Sequence, residues 1–157
     1  MEHDYILGAA IGGLVAFIFS VPAIVLELTE RGKVSNIPLI VDVKTIFGYT
    51  LKKQEVFWVG LLLHIIMGTL FGLVYVLFVL KGWLVFTNLP YSFGSLFIFA
   101  LCAWIVSGVI IFPSLGMGLF GRKEGKRVWV ELLASMFILG TSMWLLVKFY
   151  QPFFFNY

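Results

Sequence analysis

Charge is what this chain has least of. Only 12% of its 157 residues are Asp, Glu, Lys or Arg, against 61% hydrophobic, and the mean hydropathy is +1.04. A soluble domain carries about 25% charged residues, so this chain cannot clothe its surface in water and belongs in a bilayer. Cysteine is nearly absent as well. Cys102 stands alone, which excludes an intramolecular disulfide, a CxxC redox pair and a cysteine-rich metal site. Histidine occurs only at His3 and His64, too few for an in-bundle pair of haem ligands, and no acidic partner beside His64 completes a zinc site. A single axial bond from His64 to a haem-like pigment is the one cofactor role left open; no metal and no cofactor is expected. Neither a Gly-x-Ser-x-Gly elbow nor a Gly-Lys-Ser/Thr phosphate loop occurs. The net charge of +3 is held in loops and offers no basic face to nucleic acid. The opening "MEHDY" lacks the basic start of a signal peptide, so the first apolar run is expected to be retained.

What the chain does have is long apolar runs. Crossing the hydrocarbon takes about 20 apolar residues, and four segments qualify: 5–26, 56–80, 91–112 and 128–150. The expected fold is an all-α membrane protein, a four-transmembrane-helix bundle forming a single domain over 1–157. Arg31, Lys33, Lys44, Lys52 and Lys53 lie in the first loop, and Arg122, Lys123, Lys126 and Arg127 in the third; the other side has only Lys81 and Lys148. Such a bias places the basic loops in the cytoplasm. The chain is thus expected in a bacterial or archaeal cytoplasmic membrane, multi-pass, with both termini outside.

The first loop carries more than charge. In "SNIPLIVDVKTIFG" (35–48), Asn36 can cap a helix, Pro38 suits its first turn and Gly48 its stop. Leu39, Ile40, Val43, Ile46 and Phe47 can share one face, so a short cytoplasmic interfacial helix is expected over about 37–47; an ordinary loop packed on the bundle is the alternative. Lys52 and Lys53 follow, where anionic lipid attracts each basic residue by about 1 kcal/mol. Trp83, Phe86 and Tyr91 are expected interfacial anchors on the outer side. The aromatic-rich end "FYQPFFFNY" suits the outer headgroup layer, with docking on a partner as the alternative.

The two halves echo each other. "VFWVGLL" (56–62) matches "RVWVELL" (127–133) across Trp-Val-x-Leu-Leu, and "VPAI" (21–24) matches "FPSL" (112–115). The first and third spans run in the same direction, so the halves are expected to be parallel helical-hairpin repeats. With Gly68-Thr69 aligned to Gly140-Thr141, His64 falls opposite Met136. "LLHIIMGTLFGLVY" (62–75), followed by "FPSLGMGLFG" (112–121) and a final glycine-bearing helix, resembles a family of small four-helix bacterial membrane proteins of uncharacterised role. That resemblance covers most of the chain and implies the four-helix fold, but brings no activity. The family's last helix tends to carry a His four residues before its Gly; this chain departs from that pattern with Met136.

Small and polar residues supply the candidates. Gly8, Gly12, Ala16 and Ser20 recur every four residues in the first span, and Gly60, Gly68 and Gly72 share the stripe of His64 in the second. Small-xxx-small stripes let helix backbones approach in lipid, so Gly8, Gly12, Gly60, Gly68 and Gly72 are expected to pack helices, within the chain or in a homo-oligomer or membrane complex. Pro22 can bend the first helix near its inner end. His64 lies eight residues inside its helix, roughly 12 Å deep at 1.5 Å per residue. Counted the same way, Ser135 lies about as deep, Ser107 and Ser20 near that level, Glu131 one turn nearer the cytoplasm, and Glu27 at the mouth. An ionisable residue in the bilayer is a candidate for function; a neutral, hydrogen-bonded packing histidine is the alternative. Ser107 with His64 is the only available nucleophile–base pair, and nothing marks it as activated. A non-catalytic accessory, assembly or interaction subunit is the first expectation. The second is a small transporter or proton-coupled permeation protein using His64 and Glu131.

Overall fold

In hydrocarbon a backbone must satisfy its own hydrogen bonds, so each long apolar run becomes one helix. The computed structural model describes residues 2–30, 40, 43–81, 83 and 92–150. Its long helices are α1 (Glu2–Glu30), α2 (Lys53–Leu80), α3 (Phe93–Val106) and α5 (Val128–Tyr150). A π-helical turn, Ser107–Ile111, and the short α4 (Phe112–Ser114) carry α3 onward into the third loop. α1 remains helical through Pro22 as far as Glu30. Four stretches, Asp4–Thr29, Glu55–Leu80, Phe93–Ser114 and Val128–Leu146, are long and apolar enough to cross a membrane, yet only 28–39% of each one's most apolar window is buried within the chain. The remainder turns hydrocarbon outward, as Phe17, Leu62, Val109 and Leu145 do. Exposed apolar surface on that scale needs lipid rather than water against it.

α1 and α2 form a hairpin built on glycine. A Cβ on Gly8 would stand 2.8 Å from the Gly72 carbonyl oxygen, and one on Gly68 would stand 2.8 Å from that of Gly12. A Cβ on Gly12 or Gly72 would press on the opposing backbone still more closely. Four glycines in two facing pairs thus let the helices touch main chain to main chain, and close packing of this kind drives association where lipid removes the hydrophobic effect. α3 and α5 pair differently, through rings: Phe97 with Phe137 at 4.5 Å and Phe93 with Trp144 at 5.4 Å. The two hairpins join where Phe71, Tyr75 and Phe78 of α2 converge edge-on upon Phe99 of α3, at 4.9, 5.2 and 5.5 Å. Edge-to-face pairs contribute about 0.5–1.5 kcal/mol each beyond the area they bury.

The first loop corrects the sequence reading. In place of the C-terminal part of an interfacial helix over 37–47, β1 (Thr45–Ile46) and β2 (Tyr49–Thr50) pair antiparallel, with Thr45 opposite Thr50 and Ile46 opposite Tyr49. Phe47 and Gly48 make the turn at φ 47° and 84°, the positive values that a tight two-residue hairpin demands. Docking decides it. The Phe47 N–H donates to the Leu115 carbonyl at 2.7 Å, and the Lys44 N–H donates to the Glu124 carboxylate. A helix there would hold these amides within its own ladder. Positions 37–39 and 41–42 of that expected helix lie outside the described residues, as do Arg31, Lys33, the anchors Phe86 and Tyr91, and the tail 151–157. Trp83 is described, and exposed.

Candidate functional site

The two hairpins meet at Phe99 and part toward the basic loops, leaving a cleft of about 370 Å³ between α2 and the α3–α5 pair. Gly60, Leu63, His64, Met67 and Gly68 form its α2 wall; Ile111, Phe112, Leu132, Ser135, Met136 and Leu139 face them. Val43, Leu115 and Met117 close the basic end, while Ile66 and Leu70, both partly exposed, form a lip. Among the described residues, His64 and Ser135 are the only polar side chains in the lining, and the others are hydrocarbon, thioether or glycine.

Helix geometry explains why His64 stands there. Four residues from both Gly60 and Gly68, it shares their stripe, and α1 brings Ala16 into the recess that the imidazole lines. The Ala16 carbonyl accepts the Ser20 hydroxyl at 2.8 Å, so Ser20, fully buried, folds back on its own helix. A neutral imidazole that donates through one nitrogen keeps the other as an acceptor. His64 and Ser135 also share a second, small recess with Ala16, Phe19 and Ile138, at the junction of α1, α2 and α5.

Of the polar residues expected near that depth, Ser135 lines the same cleft as His64, and Ser20 reaches the carbonyl of Ala16, which shares the small recess with His64. Ser107 is 2% exposed and opens the π-helical turn, where its carbonyl accepts the Phe112 N–H; it does not line the cleft. Glu131 is half-buried in the first turn of α5, with its N–H on the Arg127 carbonyl at 3.1 Å, and Glu27 is half-buried near the end of α1. Neither lines the cleft. Gly8, Gly12, Gly68 and Gly72 sit at the α1–α2 crossing, whereas Gly60 lies in the cleft wall. Met136, which the Gly-Thr alignment of the two halves sets opposite His64, faces the same space. Among the described residues, no group of three His, Cys, Asp or Glu side chains could hold a metal ion.

Sequence reasoning missed Glu124. It is 3% exposed at the basic end and holds the first loop to the third through Lys44. A signal was available: Glu124 is the single acid among Arg122, Lys123, Lys126 and Arg127, and a lone carboxylate amid cations is a candidate for a specific partner. Compared with models of protein families, with curated proteins and with solved structures, the chain matches none.

Proposed function

We propose that this chain is a non-catalytic integral membrane protein, an accessory, assembly or interaction subunit, whose cleft holds the hydrocarbon chain of a membrane lipid. One observation carries the reading: a cleft of about 370 Å³ reaches His64, yet among the described residues Ser135 is the only other polar side chain in its wall. Ligand pockets begin at about 300 Å³, so the space suits a small occupant. The lip of Ile66 and Leu70 opens toward the side from which lipid arrives. The Trp-Val-x-Leu-Leu sequence shared by the starts of α2 and α5 supports two parallel hairpin repeats with the cleft at their seam. Anionic lipid at the basic loops, and both termini outside, complete the reading.

The test is mass spectrometry of lipid retained by the protein purified in mild detergent. Met136→Trp fills the cleft from α5, and Ile66→Trp blocks its lip from a partly exposed position that leaves the core alone. Both variants are expected to lose the retained lipid, while Leu62→Trp, on the exposed face of α2, keeps it. Retention unchanged in a folded Ile66→Trp protein would overturn the lipid reading.

Permeation is the second reading, favoured by the place of His64 in the cleft wall. It asks for a further titratable group along the path, and Glu131 does not line the cleft. Proteoliposome proton flux that exceeds empty vesicles and is abolished by His64→Ala would establish it. Flux equal to empty vesicles ends it for protons.

A further inference from the structure

A second recess, of about 490 Å³, opens at the basic end on the α3–α5 pair, lined by Trp104, Phe120, Arg122, Lys126 and Trp129. Its floor is built rather than incidental. The Phe120 ring occupies the space where a Cβ on Gly108 would stand, and Phe120 adopts φ 51° to place it there, a conformation that non-glycine residues hold only where their surroundings fix it. Trp104 packs on that ring at 4.9 Å and donates its indole N–H to the Trp129 carbonyl at 3.0 Å. The Trp104 and Phe120 rings are thereby fixed together, with Trp129 and the exposed Arg122 and Lys126 lining the same recess.

Charge selects the occupant. Among the described residues, Arg122 and Lys126 line the recess, and no carboxylate does. The acid that could neutralise them, Glu124, lies between them in sequence but turns away to hold Lys44 and is almost wholly buried. The recess therefore carries an uncompensated double positive charge, with the planar fork of Arg122 suited to phosphate oxygens. Its indoles and cations lie at one helix end, the arrangement that marks a membrane–water interface. Ile105, Val106 and Val109, on the turns flanking Trp104, are exposed hydrocarbon.

We propose that this recess binds the headgroup phosphate of an anionic phospholipid. Arg122 and Lys126 take the phosphate, while Trp104, Phe120 and Trp129 carry the glycerol and the first chain carbons. This deepens the reading of anionic lipid at the basic loops by assigning it a place, and is independent of what fills the cleft between the hairpins.

The experiment compares the full chain with R122Q/K126Q and with K52Q/K53Q, which removes the same charge from the other basic loop, by native mass spectrometry with phosphatidylglycerol or phosphatidylcholine. The expected result is a roughly tenfold or greater loss of phosphatidylglycerol retention in R122Q/K126Q and less than twofold in K52Q/K53Q, with phosphatidylcholine unaffected. Equal losses in both pairs would mean general attraction by basic loops and overturn the site while sparing the broader reading; no loss in either overturns both. In a second arm, brominated phosphatidylglycerol is expected to quench tryptophan fluorescence more than brominated phosphatidylcholine does, with the difference removed by W104F/W129F. A difference that survives W104F/W129F places the lipid elsewhere. Inorganic phosphate is expected not to displace the lipid at millimolar concentration; displacement there would make this a soluble-anion site and overturn the lipid assignment.

Discussion

The backbone N–H of Lys44 donates to the Glu124 carboxylate, eighty residues further on, while the Lys44 ammonium donates to the Glu124 carbonyl at 2.9 Å. One residue pair thereby fastens the first basic loop to the third. The other oxygen of that buried carboxylate has no hydrogen-bond partner among the described residues, so the side-chain half of the latch rests on a single oxygen. Glu124→Ala removes that half, keeps the bond from the Lys44 ammonium to the backbone carbonyl and leaves the Lys44 amide unpaired, at a cost of about 1–3 kcal/mol. Glu124→Gln keeps an acceptor and is expected to cost less. Hydrogen exchange checks this directly: the Phe47 and Leu51 amides, bonded to Leu115 and Lys44, are expected to lose protection in Glu124→Ala. Protection equal to that of the unaltered chain would show that the hairpin docks without this residue.

Much of the architecture was legible because bilayer thickness and glycine spacing leave few solutions. The facing pairs Gly8–Gly72 and Gly12–Gly68 follow directly from a four-residue stripe on each helix. The level of the polar residues was not legible. Depth was counted from each helix's inner end, which assumes that the ends are flush. α3 instead runs on past the start of α5 through a π-helical turn and α4, and Phe120 folds back to Gly108. Ser107 is therefore buried away from the cleft that Ser135 shares with His64. The hairpin was hidden for another reason: strands of two residues have no periodicity to detect, and Phe47 stands where a turn of this kind usually shows Asn or Gly.

The glycine crossing predicts a position-specific response. Gly12→Ala and Gly72→Ala drive a methyl group into opposing main chain, which cannot yield as a flexible side chain would. Each is expected to destabilise the folded protein in detergent by about 1–3 kcal/mol or more, read as a lower Tm. Gly94→Ala places its methyl in open space and is expected to leave the Tm unchanged or slightly raised, since alanine favours the helix. Equal responses at all three positions would mean that the close approach of α1 and α2 does not govern stability.

The Trp104–Trp129 bond separates hydrogen bonding from ring packing. Trp104→Phe removes the indole N–H that reaches the Trp129 carbonyl but keeps a ring against Phe120. Its expected cost is about 0.5–1.5 kcal/mol. Trp104→Ala also empties the space beside Phe120, and about 3–5 kcal/mol is expected where a large ring is truncated in a packed setting, less here because Trp104 is only half-buried. Thermal unfolding of the two variants measures the order; equal losses would assign the whole contribution to the N–H.

Orientation can be tested through a constraint that the fold itself supplies. Because Lys44 reaches Glu124, the first and third loops share one end of the bundle, and with four spans both termini must share the other. With nine cations in those two loops against Lys81 and Lys148 elsewhere, the positive-inside rule predicts that the loop end is cytoplasmic. With Cys102→Ser as background, Glu2→Cys and Asn156→Cys are expected to react with a membrane-impermeant maleimide in intact cells. Lys123→Cys, exposed in the third loop, is expected to react only after the membrane is opened. The reverse pattern would invert the protein in its membrane. Labelling at both ends in intact cells would show two orientations in one population, which nine cations against two should prevent.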